Sequence, residues 1–242
     1  MDRGELQLTA KGRATRARIL DTAAGLILRR GVAGTGIDDV RRAAGVSGSQ
    51  MTHYFRDRDS LIHDVVEFQA ESTLAQHQAP ELDGFRTLAS LRLWADLQIE
   101  RQRQRDCQGG CSFGSLAGQL AESSPETRAD LADGFTRWLA LLQRGLEAMK
   151  ATGELRADAD PHDLAYALLA TMQGGMLLTQ TLRTVEPLEV AFDTVLARVA
   201  SFATDPAQAA HILRLTPVHQ RLLRGVPDHA PGQPPAWRTS DC

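Results

Sequence analysis

The chain has 242 residues, with 27 Lys and Arg against 30 Asp and Glu, three cysteines and 43% hydrophobic residues. That length accommodates a small domain beside a larger core, and a formal net charge of −3 excludes a uniformly basic, nonspecific nucleic-acid binder. The odd cysteine count, the absence of an apolar leader and the lack of any apolar run of membrane length give the expectation of a soluble, cytoplasmic protein with reduced thiols and no membrane partner.

The charge is unevenly spread: residues 1–64 carry 11 Lys/Arg against 8 Asp/Glu, whereas residues 65–242 carry 16 against 22. Residues 10–30 predict a first helix whose apolar stripe is Ile19, Leu20, Ala23, Ala24 and Ile27, stopped by Gly31. Lys11, Arg13, Arg16 and Arg18 crowd its start. Cations there oppose the helix dipole, so phosphate contact by Arg13 and Arg16 explains them better than helix stability does; a solvated face is the alternative.

The next helix has Thr35 or Gly36 as N-cap, Asp38 and Asp39 in its positive first turn, Ile37, Val40 and Ala44 on one stripe and Gly45 just past its end. After that turn, Ser47 and Gln50 form a Ser-x-x-Gln capping box, and Val46 and Met51 have hydrophobic-staple spacing. Two short helices around a glycine turn, the second capped and polar, make a helix-turn-helix and double-stranded DNA the expected partner. Ser47 and the adjacent backbone N–H groups, with Gly48 and Ser49, suit phosphate; Gln50, Thr52 and His53 suit the major groove; Tyr54, Arg58 and Thr35 complete the DNA-facing set. Gln50 is either a base reader or consumed by its capping box, His53 either a contact or a finishing surface residue, and Phe55 belongs to the core.

Gly31 through Leu61 resembles the DNA-binding signature of the TetR family, in Ala43-Ala44-Gly45-Val46-Ser47, then Tyr54-Phe55, Arg58 and Leu61. The chain departs from that pattern at Ser49, where the family often has glycine, and at Thr52, where it usually has an aromatic. The resemblance implies a transcriptional regulator, most often a repressor released from a palindromic operator by a small-molecule effector. It also implies a homodimer whose last two long helices pair in a four-helix bundle.

Beyond the signature, residues 58–78 predict a connector helix carrying Leu61, Val65 and Phe68 and ending near Pro80. Helices follow at about 85–105 and, after Gly109-Gly110, at 112–123. Ser124-Pro125-Glu126 then opens a long helix with Leu131, Phe135, Trp138, Leu142, Leu146 and Met149 on one face, ended by Gly153. Asp160-Pro161 and Glu186-Pro187 open helices at 161–184 and 187–203, apolar on more than one face, as a subunit interface requires. A short helix at 205–215 and a disordered Pro-rich tail complete an all-α chain of about nine helices, divided as 1–57, 58–204 and 205–242.

For a small apolar or amphipathic effector the body offers Trp94, Leu97, Phe113, Leu116, Trp138, Met172, Gln173, Met176 and Gln180, on helices able to surround one cavity. Each alone also fits an ordinary core. Gln173 and Gln180 share a helix face and need partners, either in a pocket or across a dimer. Gly174-Gly175 costs about 2 kcal/mol of helix propensity, offset either by close helix approach or by ligand room. Cys107 and Cys111 lack the further ligands of a metal site and are either incidental thiols or a redox switch. An enzyme built on these cysteines or on His77 would lack a nucleophile, base and acid in one motif, and no cofactor signature is present.

Overall fold

The computed structural model describes residues 8–205, 207, 209 and 210. Thr9 caps helix α1 (Ala10–Arg30), accepting the Gly12 N–H at 3.2 Å, and Gly31 ends it at φ 73°. Helices α2 (Ile37–Ala43) and α3 (Gly48–Tyr54) follow, with Gly45 at φ 63° making the turn between them. Gly36, not Thr35, is the N-cap of α2, and the Asp39 carboxylate accepts its N–H at 3.2 Å. Ile19, Ala23 and Ile27 of α1 close on Val40, Val46, Met51 and Phe55, forming a small N-terminal core.

Helix α4 (Arg58–His77) belongs to two cores. Leu61, Ile62, Val65, Val66 and Ala70 lie in the N-terminal one, whereas Leu74 lies in the body core. The chain then enters a tight 3-10 turn over Pro80–Phe85, so the helix expected from residue 85 starts later, as α5 (Leu88–Gln104). Asp83, Gly84 and Phe85 adopt left-handed backbone at φ 45°, 58° and 62°, a conformation that drives Phe85 fully inside. The long helix α7 (Pro125–Ala151) accommodates this turn at Gly145, where a Cβ would stand 2.5 Å from the Phe85 carbonyl oxygen.

Between α5 and α7, helix α6 (Ser112–Leu120) leans on the N-terminal core through Phe113, Leu116 and Leu120. The body is completed by α8 (Pro161–Leu182) and α9 (Glu186–Ala200), neighbours joined by a short turn with Arg183 at φ 55°. Gly175 explains half of the glycine pair: a Cβ there would come within 2.9 Å of Leu188 and 3.3 Å of Ala191, so α8 and α9 approach closely at that point. Gly174 meets nothing and lies on the outer face. Arg92 and Arg103 of α5 reach the buried carboxylates of Asp193 and Glu189 on α9.

Among the described residues there are nine α-helices and no strand beyond an isolated bridge between Leu155 and Ala203. None of these helices is long and apolar enough to cross a membrane. The Pro-rich tail and most of the expected 205–215 helix lie outside the described residues.

Candidate nucleic-acid interface

The start of α3 is held as its sequence requires. Ser47 is extended, its hydroxyl accepts the Gln50 N–H at 3.1 Å, and its own N–H donates to Gln50 Oε1 at 2.9 Å. One lone pair of the Gln50 side-chain oxygen is therefore taken by the cap. Bidentate pairing with adenine needs both the oxygen and the nitrogen of the amide, so Gln50 reads adenine in that way only if its oxygen is shared between the cap and the base or leaves the cap. Met51 is buried and anchors the helix, while Gly48, Ser49, Gln50, Thr52 and His53 form its exposed face. The Thr52 hydroxyl bonds back to the Gly48 and Ser49 carbonyls at 3.2 Å, and the rings of His53 and half-buried Tyr54 meet edge-on at 4.9 Å. A Cβ on Gly48 would meet nothing, which leaves the helix start open to a phosphate.

One member of the expected DNA set is corrected. Thr35 is buried and its hydroxyl donates to the Gly31 carbonyl at 2.9 Å, so it builds the turn between α1 and α2. Arg58, also expected to face DNA, is exposed; its guanidinium donates one N–H to the Val32 carbonyl at 2.6 Å, which ties the start of α4 to the same turn and leaves its other donors available. From the other side, Gln119 of α6 accepts the Val32 N–H at 2.7 Å. Gln119 escapes sequence reasoning because its partner is 87 residues away and no local pattern marks it.

Arg13 is exposed and donates to the Leu8 carbonyl at 2.7 Å. Arg16 pairs with Asp64 of α4 at 2.6 Å, and its guanidinium lies 5.8 Å from the centre of the Phe55 ring. With Tyr54 they line a cleft of about 1730 Å³ between α1, α4 and the start of α7, where Asp57, Asp59, Glu126 and Asp130 balance the cations. His63 of α4 contacts Asp130 of α7 at 2.5 Å across it. None of the expected effector residues borders this cleft.

Those residues divide between the two cores. Trp94, Trp138, Met172 and Met176 are buried together in the body, with Leu97 packed against them. Phe113 and Leu116 instead belong to the N-terminal core, a correction to the single expected cavity. The cause is the lean of α6: Phe113 lies so close to α7 that a Cβ on Gly134 would stand 2.4 Å from its ring. Phe135 bridges the groups, 4.8 Å from Phe113 and stacked on Trp138 at 6.5 Å.

Gln173 donates to Cys111 Sγ at 3.5 Å, and the Gln180 side chain lies in the space that a Cβ on Gly110 would take. Cys111 caps α6, accepting the Gly114 N–H at 3.3 Å, and burial pushes its thiol above the ordinary range. That is the opposite of what an activated thiolate needs. His77 lies buried against Trp94 and Trp138; burial takes its pKa down to about 4, and Nδ1 bonds the Thr73 carbonyl at 2.7 Å.

With this geometry in hand, comparisons with known proteins bear on identity. Residues 19–65 match the family model described as bacterial regulatory proteins, tetR family, and residues 87–195 match that of the tetracyclin repressor-like C-terminal domain. Transcriptional regulator AcuR of Cereibacter sphaeroides is 27% identical over 67% of this chain and 74% of its own length. HTH-type transcriptional repressor NemR of Escherichia coli is 27% identical over 80% of this chain and 96% of its own. A TetR transcriptional regulator from Chloroflexus aurantiacus superposes with a TM-score of 0.70 at 25% identity, covering 81% of this chain and 98% of that one. The reduced form of E. coli NemR gives 0.69 at 24% identity, covering 79% and 98%. The chain belongs to the TetR family of helix-turn-helix transcriptional regulators and is a DNA-binding regulator, not an enzyme.

Proposed function

We propose that the chain is a homodimeric repressor that holds a palindromic operator and leaves it when a small apolar or amphipathic molecule enters the helical body at 58–204. The observation that carries this reading is the double membership of α4. Its first turn holds the α1–α2 turn through Arg58, and its last turn packs His77 between Trp94 and Trp138. A rearrangement of the body core thus moves a rigid rod whose other end sets the position of α3. The effector releases DNA only in so far as it binds the released arrangement more tightly than the DNA-bound one.

Dimerisation through α8 and α9 is supported by an uncovered apolar face. Tyr166, Leu177, Leu178 and Leu182 of α8 are 53%, 59%, 51% and 60% exposed, a concentration that a solvated helix does not carry. Two-fold pairing there presents two copies of α3 to half-sites about one helical turn of DNA apart. The proposed contacts are Arg13, Ser47, Gly48, Ser49, Gln50, Thr52, His53, Tyr54 and Arg58, with Arg16 joining them if phosphate displaces Asp64. That curated relatives carry the name repressor supports the sign of regulation.

Selection of bound duplexes from a random pool at roughly physiological salt, where nonspecific phosphate binding is weakened, tests the reading. Enrichment of one palindrome is the expected result. No enrichment with a folded dimer in hand removes the specific reader.

A further inference from the structure

Among the described residues, three ring nitrogens in the body core have no hydrogen-bond partner: Nε2 of His77, Nε1 of Trp94 and Nε1 of Trp138. They come from α4, α5 and α7 and share one aromatic cluster, the His77 ring lying 6.1 Å from that of Trp94 and 4.5 Å from that of Trp138. Phe85 packs edge-on to Trp94 at 5.7 Å, and Phe135 stacks on Trp138. Each of the three is at most 3% exposed, so bulk water does not reach them. Buried indole N–H groups ordinarily find a partner, and three orphaned nitrogens in one cluster call for a physical account.

Their chemistry specifies what would satisfy them. The Thr73 carbonyl can only accept, so Nδ1 of His77 carries a proton. Burial keeps the imidazole neutral, which leaves a lone pair on Nε2. Each indole supplies one donor. The set is therefore two donors and one acceptor, and its complement accepts twice and donates once. A hydroxyl group does both with one oxygen. A carboxylate has no proton to give to Nε2, an ammonium accepts nothing from the indoles, and aromatic walls disfavour either charge.

We propose that the body binds an uncharged, largely apolar molecule of the phenol or alcohol class, whose hydroxyl is held by His77, Trp94 and Trp138. This rests on the reading of the body as an effector domain and gives that effector its chemistry. It also places the polar contact on the last turn of α4, the helix shared by both cores.

The test uses the full-length protein free of DNA, with its three tryptophans labelled with nitrogen-15, and para-cresol and toluene as probes. Trp237, outside the described residues, serves as the reference indole. The expected result is saturable movement of the Trp94 and Trp138 indole N–H signals with para-cresol and binding of toluene at least ~10-fold weaker, the scale of one buried hydrogen bond. Trp94→Phe and Trp138→Phe should each weaken para-cresol severalfold while sparing toluene; if either fails to fold, the wild-type titration decides alone. Equal binding of the two probes overturns the proposal, since the site is then merely apolar. Unmoved indoles with para-cresol and with octanol also overturn it, the nitrogens being satisfied by buried water only. Fluorescence anisotropy on the selected operator separates this from the broader reading. Indole-site binding without release sinks effector-controlled repression and keeps the site; release by a ligand that leaves both indoles unmoved does the reverse.

Discussion

His77 is held neutral inside the body, and that has a measurable cost in acid. Its pKa of about 4 lies below the ordinary histidine value of 6.5, because burial disfavours the imidazolium and the charge of Arg101 adds to the effect. As pH falls through the interval between those values, the unfolded chain takes up a proton that the folded chain refuses. Stability from this group is therefore present above pH 6.5 and lost on the way down to 4, by about 3 kcal/mol. Urea titrations at pH 7 and pH 4 should show that slope, and His77→Leu should reduce the difference by about that amount; an unchanged difference would contradict the burial argument. Gln119 makes a second prediction at this scale. Gln119→Ala strips the Val32 N–H of its acceptor, which costs about 1–3 kcal/mol when the group stays buried. Operator affinity should fall with it although every α3 side chain is intact, since the α1–α2 turn loses one of its two clamps.

At the level of elements, α3 separates positioning from reading. Arg13→Ala should weaken binding about equally on all sequences and lower the salt slope by about 1, as expected for one lost phosphate contact, whereas Thr52→Ala should change preference among sequences more than the slope. Salt titrations on the selected operator and on a scrambled duplex distinguish the two. The start of α3 was readable in the sequence because a capping box and a staple are local: Ser47, Gln50, Val46 and Met51 all lie within six residues. The beginnings of α7, α8 and α9 were legible for the same reason, each marked by a proline in its first turn. What stayed hidden is long-range. Periodicity gave Phe113 and Leu116 an inward face but could not say which of two cores would take it, and that depended on the small Gly134 surface of α7. Thr35 looked like a phosphate ligand by residue type, and only the closed α1–α2 turn shows its hydroxyl already used on the Gly31 carbonyl. The left-handed run at Asp83, Gly84 and Phe85 likewise exists because the core repays burial of Phe85, a gain invisible to local propensity.

Across the whole molecule, the ring cluster, the connector and the proposed dimer helices form one packed body. Trp94 packs edge-on to Phe192 of α9 at 5.1 Å, and Arg92 and Arg103 of the same α5 hold Asp193 and Glu189 of α9. A guest at Trp94 would therefore press on α4 and α9 together, and the distance between two copies of α3 depends on both. This requires that α8 and α9 be the dimer seam, which can be tested without DNA. Leu177→Glu places a charge in the middle of the exposed α8 face, where the side chain is 59% exposed in one protomer and so has no reason to disturb its folding. Sedimentation should show a monomer whose helical circular dichroism matches the wild type. Operator affinity should then fall by about 100-fold or more, the gain that linking two reading heads normally provides. Leu93→Glu is the control, because Leu93 is also an exposed apolar residue, at 38%, but lies on α5. A dimer that survives Leu177→Glu places the seam elsewhere; a dimer broken equally by both changes would extend it beyond α8 and α9, so only dissociation confined to the α8 variant fits the arrangement in which the ligand-bearing core and the spacing of the reading helices move as one.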